Sequence, residues 1–168
     1  RTGVLCFVTV DHEVTSDGRP VLDERQDIVY RAAEPPKPAA APQEADARKP
    51  ASAPEGAHRR LVVPSPPLLF RYSALTFNGH RIHYDAPYVR EVESYPGLIV
   101  HGPLQATMLA HHAEAIRGSR PAQFDFRSLS PLFDTADFAV DASEEGEGLK
   151  LWTARIGGPV AMEAQARW

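Results

Sequence analysis

From Pro66 to Trp168 the sequence predicts an α+β unit in which one long helix lies against a curved antiparallel sheet, and three observations carry that prediction. Leu104 to Ile116 has apolar residues at helical spacing, preceded by Gly102-Pro103 with its proline suited to a first turn, and Gly118 stops the run. Strand-like segments then follow around Ala122 to Leu129, Phe138 to Ala142, Leu149 to Ile156 and Val160 to Trp168, with Glu145-Gly146-Glu147-Gly148 as a turn between two of them. A single helix followed by such strands buries its apolar face when the sheet curves around it.

The remaining elements follow in chain order. Val4 to Val14 and Val21 to Tyr30 read as the two strands of a hairpin around Asp17-Gly18. Two strands alone do not make a stable domain. From Ala32 to Ser65 the composition shifts to Pro, Ala, Glu and Lys, with Leu61-Val62-Val63 the one bulky apolar cluster, so a solvated, disordered linker is expected there. A strand is expected over Leu68 to Leu75, and short helical turns near Ala86 to Glu93. The domain plan is thus a hairpin over 1–31, a linker over 32–65 and a folded unit over 66–168. Because the chain begins at Arg1 and enters a strand at once, it is expected to be a piece of a longer protein.

Composition narrows the function. The 168 residues carry a formal net charge of −4, and the pI is about 6.0, which argues against a surface built for nucleic acid or anionic membranes. No apolar run reaches the length of a membrane span and no secretory leader is legible, so a soluble, cytoplasmic protein is expected. Cys6 is the only cysteine, which excludes an intrachain disulfide and a multi-cysteine zinc site and fits a reducing compartment.

Chemistry concentrates in Phe77-Asn78-Gly79-His80-Arg81-Ile82-His83-Tyr84-Asp85 and in Tyr95-Pro96-Gly97-Leu98-Ile99-Val100-His101-Gly102-Pro103. The first stretch offers an amide at Asn78, a glycine free to take unusual backbone angles at Gly79, and at His83 an imidazole able to take and return a proton near neutral pH. The second ends where a helix begins, so backbone N–H groups near Gly102 are free to polarise a carbonyl oxygen. A base and an oxyanion donor are both present.

Over about Leu69 to Arg117 these residues resemble the MaoC-like, R-specific enoyl-thioester hydratases and dehydratases of the hot-dog fold, whose pattern runs Gly-Asp-x-Asn-Pro-(Leu or Ile)-His. With the last histidine set on His83, Ile82 takes the aliphatic position, Arg81 the proline, His80 the asparagine, Asn78 the aspartate and Phe77 the glycine. An amide thus stands where the family has its catalytic carboxylate, and an amide orients a water without accepting its proton. The wording is similar to the subgroup containing mesaconyl-C4-CoA hydratases and mitochondrial type 2 hydroxyacyl-thioester dehydratases, in which the amide is usual. The resemblance also makes the N-terminal hairpin the closing strands of a partial first hot-dog, and it implies a partnership with another hot-dog unit, in a homodimer or otherwise.

On that resemblance His83, Asn78 and Gly102 are the expected catalytic residues, and His80, Arg81, Tyr84 and His101 the expected substrate contacts. Bland readings stand beside several. Asn78 is also a turn former, Arg81 a surface charge, His101 a loop hydrogen-bonding residue, and Asp85 either orients His83 or caps the next helical turn. His80 and His83 lack a third ligand at metal spacing, so no metal site is expected. The expected activity is reversible hydration of the double bond of an acyl-CoA or acyl-carrier thioester, without a cofactor. The alternatives are a hot-dog thioesterase, for which Gln105 and His101 supply no clear base, and a non-catalytic binding half.

Overall fold

The computed structural model describes residues 4–31 and 51–168, in two compact units that divide between Glu44 and Ala45. Of the linker expected over 32–65, residues 32–50 lie outside the described residues. In the first unit β1 (Leu5–Ser16) pairs antiparallel with β2 (Arg19–Arg31), and Asp17 and Gly18 turn the chain with φ of 50° and 74°. Two successive positive φ values match the right-handed twist of the flanking strands, which is why a two-residue Asp-Gly turn serves here. Cross-strand partners add polar ties, Arg25 donating to Asp11 at 2.7 Å and Thr9 to Asp27 at 2.6 Å.

The second unit holds β3 (His58–Val62), α1 (Pro66–Leu75), a 3₁₀ turn (Arg81–His83), α2 (Ala86–Glu91), α3 (Gly102–Arg117), β4 (Gln123–Ser128), β5 (Phe138–Glu145), β6 (Gly148–Arg155) and β7 (Val160–Arg167). The five strands form one antiparallel sheet in the order β3-β5-β6-β7-β4. Helix α3 packs its Leu104, Leu109 and Ala113 into a core with Phe138, Val140, Leu151, Met162 and Ala164 from the sheet. Those helix positions recur at helical spacing, and the strand positions alternate, so each period delivers one apolar face to the same core. Gly118 ends α3 at φ 74° and donates its N–H to the Glu114 carbonyl at 2.8 Å. The expected helix and all four strands after it are present within a few residues of their expected bounds.

Two expectations are corrected. Leu68 to Leu75 is helix, not strand: Pro66 and Pro67 occupy its first turn, and Leu69 and Ser73, four apart, form its buried face. A short apolar run leaves helix and strand undecided, and the proline pair resolves it. The expected linker also ends too late, because His58–Val62 is an edge strand on β5. Residues just before it lie against the sheet as well. The Asp141 carboxylate, fully buried, accepts from Gly56 N–H at 3.1 Å and from the Arg59 guanidinium at 2.8 and 3.1 Å. Trp152 Nε1 donates to the Pro54 carbonyl at 3.1 Å, and Ala53 N–H to that of Gly158 at 2.8 Å.

Candidate active site

Helix α1 ends in a Schellman-type pattern, with Phe77 N–H donating to Ala74 O and Asn78 N–H to Ser73 O at 2.9 Å. That pattern needs a left-handed residue just past the helix, and Phe77 supplies it with φ 53°. Gly79, expected to carry the unusual angle, is not in the left-handed region. Asn78 then turns the chain, its Oδ1 accepting from His80 N–H at 3.0 Å. The Asn78 carbonyl is therefore engaged by the backbone, and its amide N–H groups are the part left for a ligand.

The 3₁₀ turn that ends at His83 is clasped by Ile99, whose N–H donates to Ile82 O at 3.0 Å and whose carbonyl lies 2.7 Å from His83 Nδ1. A carbonyl only accepts, so Nδ1 carries the proton and Nε2 of neutral His83 keeps its lone pair. Burial pushes His83 below the ordinary imidazole pKa, the Ile99 carbonyl opposes this, and nearby His80 adds to it. His83 is thus a neutral base with one fixed tautomer.

Ile99 is itself held in place. It bridges to Phe133, Val100 N–H donates to Leu132 O, and Leu98 N–H to Asp134 Oδ1 at 2.8 Å. Gly97 is required at the start of this segment because a Cβ there would meet the Asp134 carboxylate and lie 2.8 Å from Thr135 Cγ2.

His101, the residue before α3, stacks on His83 with ring centroids 3.7 Å apart and 17° between planes. Its Nε2 is 2.8 Å from Ser73 Oγ, and the ring of Tyr72 meets it edge-on at 4.9 Å. Burial holds His101 down at about 4, with His83 a further cause. His101 is expected as a substrate contact, and this is corrected: a ring with 0% exposure lies behind His83 and has no surface to offer a ligand. Gly102 follows directly, half-buried at the first turn of α3, where helix geometry leaves its N–H without an intrahelical acceptor.

The other expected contacts sit further out. His80 is exposed, its ring 5.8 Å from that of His83. Arg81 donates through Nε and Nη2 to Asp85 Oδ2 at 3.0 and 2.8 Å and lies 4.0 Å over the Tyr88 ring. Asp85 caps α2 by accepting from Tyr88 N–H, which with Arg81 holds its carboxyl below the usual range. It therefore takes the capping role and leaves His83 to Ile99. Tyr84 OH donates to Gly79 O at 2.8 Å and lines an open groove with Phe70, Ser73, Ala74, Phe77 and Asn78. The structure thus brings His83, His101 and Gly102 together at the start of α3, with Asn78 joined to them through Ser73.

Ser73 and the Ile99 carbonyl are absent from the expected site. Ser73 falls in the span read as a strand, and its position four residues after Leu69 was the available signal. A backbone carbonyl leaves no signal in residue type.

Helix α3 against a curved antiparallel sheet is the hot-dog fold, and beside the N-terminus of that helix stands a neutral imidazole with one bare nitrogen. The chain belongs to the type 2 hydroxyacyl-thioester dehydratase family, whose model matches residues 2–134. It is 45% identical over 169 residues to the mesaconyl-C4-CoA hydratase of Chloroflexus aurantiacus, covering 98% of this chain and 56% of that protein. It is 37% identical over 102 residues to the mitochondrial type 2 hydroxyacyl-thioester dehydratase of Schizosaccharomyces pombe, covering 59% of this chain and 33% of the relative. The chain thus spans about half or less of these relatives. Among solved structures, HtdX of Mycobacterium tuberculosis aligns with a TM-score of 0.65 at 18% identity, over 99% of this chain and 66% of that one. The (R)-hydratase of A. caviae aligns with a TM-score of 0.56 at 17% identity, over 68% of this chain and 95% of that one. At such identities the structures speak for the fold.

Proposed function

We propose that this chain carries the acid–base half of a hydro-lyase that adds water reversibly across the double bond of an α,β-unsaturated acyl thioester. The observation that carries the reading is the His83 tautomer: Nδ1–H is committed to the Ile99 carbonyl, and the bare Nε2 lies on a ring stacked against the residue before Gly102. In the forward direction water attacks the β-carbon and its proton passes to His83 Nε2, while an Asn78 amide N–H donates to the water oxygen. The electron pair moves to the thioester oxygen, which accepts from the Gly102 N–H as an enolate. As the enolate collapses, the α-carbon takes the proton from His83, and the net change is addition of one water. Burial that disfavours the imidazolium favours this return of the proton. The step needs no redox or metal cofactor.

The 45% identical relative makes mesaconyl-C4-CoA the first substrate to try, with acyl-carrier thioesters the alternative carrier. The thioesterase reading has less support, since α3 has no acidic residue in its first turn and Gln105 is engaged by Thr153 and Val100. We place the protein in a reducing, cytoplasmic compartment on its lone cysteine, and propose that it works with another hot-dog unit, as a homodimer or a mixed pair. Strand β4 supports the pairing: among the described residues it lies at one edge of the sheet with Phe126 exposed, and an open edge accepts a further strand. Light scattering that found only monomer would overturn a homodimer.

The test is the loss of conjugated enoyl-thioester absorbance on crotonyl-CoA and mesaconyl-C4-CoA, for the chain and its His83→Ala form. The expected loss with His83→Ala is about 10²- to 10⁴-fold. Release of free CoA would point to a thioesterase, and binding without turnover to a non-catalytic half.

A further inference from the structure

The His83 hydrogen bond to Ile99 leaves one freedom open. A single N–H···O contact fixes the distance from Nδ1 to the carbonyl, but it leaves the ring free to rock about that axis, and rocking re-aims Nε2. The face of the ring is held by something else. His101 lies parallel to it at 3.7 Å, and His101 cannot drift, because Ser73 Oγ holds its Nε2 at 2.8 Å and the Tyr72 ring backs it at 4.9 Å. The Nδ1 of His101 is buried without a hydrogen-bond partner, an unfavourable arrangement that an apolar ring would avoid. The titratable groups facing this pair are His80 on the same loop as His83 and Tyr72 from α1; the Gly97–Val100 segment and the first turn of α3 contribute none.

We propose that His101 is a positioning residue, whose buried ring, anchored on Ser73, fixes the plane of the His83 imidazole and so holds its Nδ1–H on the Ile99 carbonyl, the bond that selects the tautomer with Nε2 bare. It touches no substrate. It also covers one face of His83 against water, so its removal wets the base. This rests on the hydratase reading for its consequence in turnover, while the state of His83 is measurable without it.

The experiment is nitrogen-15 NMR of the histidines across a pH titration, together with hydration kinetics, for the chain, His101→Leu, His101→Phe and Ser73→Ala. Removing the stack in His101→Leu is expected to give His83 a mixture of tautomers, move its titration up toward 6.5 and lower kcat by about 10- to 100-fold with little change in KM. His101→Phe keeps a ring in the stack and is expected to restore the single tautomer. Ser73→Ala loosens the anchor without emptying the core and is expected to shift His83 the same way by less, which decides the matter if His101→Leu does not fold. An unchanged tautomer and titration of His83 in the folded variants overturns the proposal. Absence of turnover by the unaltered chain, with the NMR changes as expected, instead overturns the hydratase reading and leaves the positioning role standing.

Discussion

Two buried imidazoles tie the stability of this protein to pH. His83 and His101 both have folded-state values below the ordinary 6.5, His101 at about 4, so between those values the unfolded chain binds more protons than the folded one. Stability is therefore fully present above about pH 6.5 and is expected to fall as the pH drops from there toward 4. Urea unfolding at a series of pH values checks this, and a His101→Phe chain should show a shallower fall. At Phe77 the backbone is left-handed while the side chain is 96% exposed, so the residue carries the steric penalty of a Cβ at φ 53° with almost no burial in return. Phe77→Gly is expected to stabilise the fold by about 1 kcal/mol in urea titrations.

At the level of elements, the site depends on a clasp made from segments far apart in sequence. The 3₁₀ turn bearing His83 hangs on Ile99, and Ile99 is held between Leu132 and Asp134. A Cβ at position 97 would displace the Asp134 carboxylate and leave the N–H of buried Leu98 without its acceptor. Gly97→Ala is expected to cost about 1 to 3 kcal/mol and to lower hydration rates through His83. The matched control is Gly79→Ala, where a Cβ meets nothing within 4 Å and the backbone is not left-handed, so unfolding and rates should both stay close to those of the unaltered chain.

The whole second unit includes more chain than its helix and four later strands. Residues 52–62 close one edge of the sheet and give Asp141 its cation, Trp152 its acceptor and β5 its outer neighbour. Arg59→Ala strands a fully buried carboxylate and is expected to cost about 3 kcal/mol, read from the urea midpoint. A shortened chain beginning at Pro66 loses all of these partners and should melt less cooperatively by circular dichroism than one beginning at Ala45; equal melting would show that residues 52–62 are dispensable.

Local patterning alone determined the hairpin, the long helix and the four strands after it. Each rests on short-range physics: Asp17-Gly18 suits two left-handed residues, Pro103 and Gly118 mark helix ends, and alternation marks strands. Tertiary structure decided the rest. His58–Val62 is a strand because β5 had a free edge to fill, although only Val62 among its residues is buried. Leu68 to Leu75 became a helix once its proline pair and its buried Leu69–Ser73 face acted together. His101 is expected as a substrate contact on the family resemblance, yet it is buried between Tyr72 and His83. Which nitrogen of His83 is free depends on a carbonyl sixteen residues away, and only the folded chain brings that carbonyl to 2.7 Å.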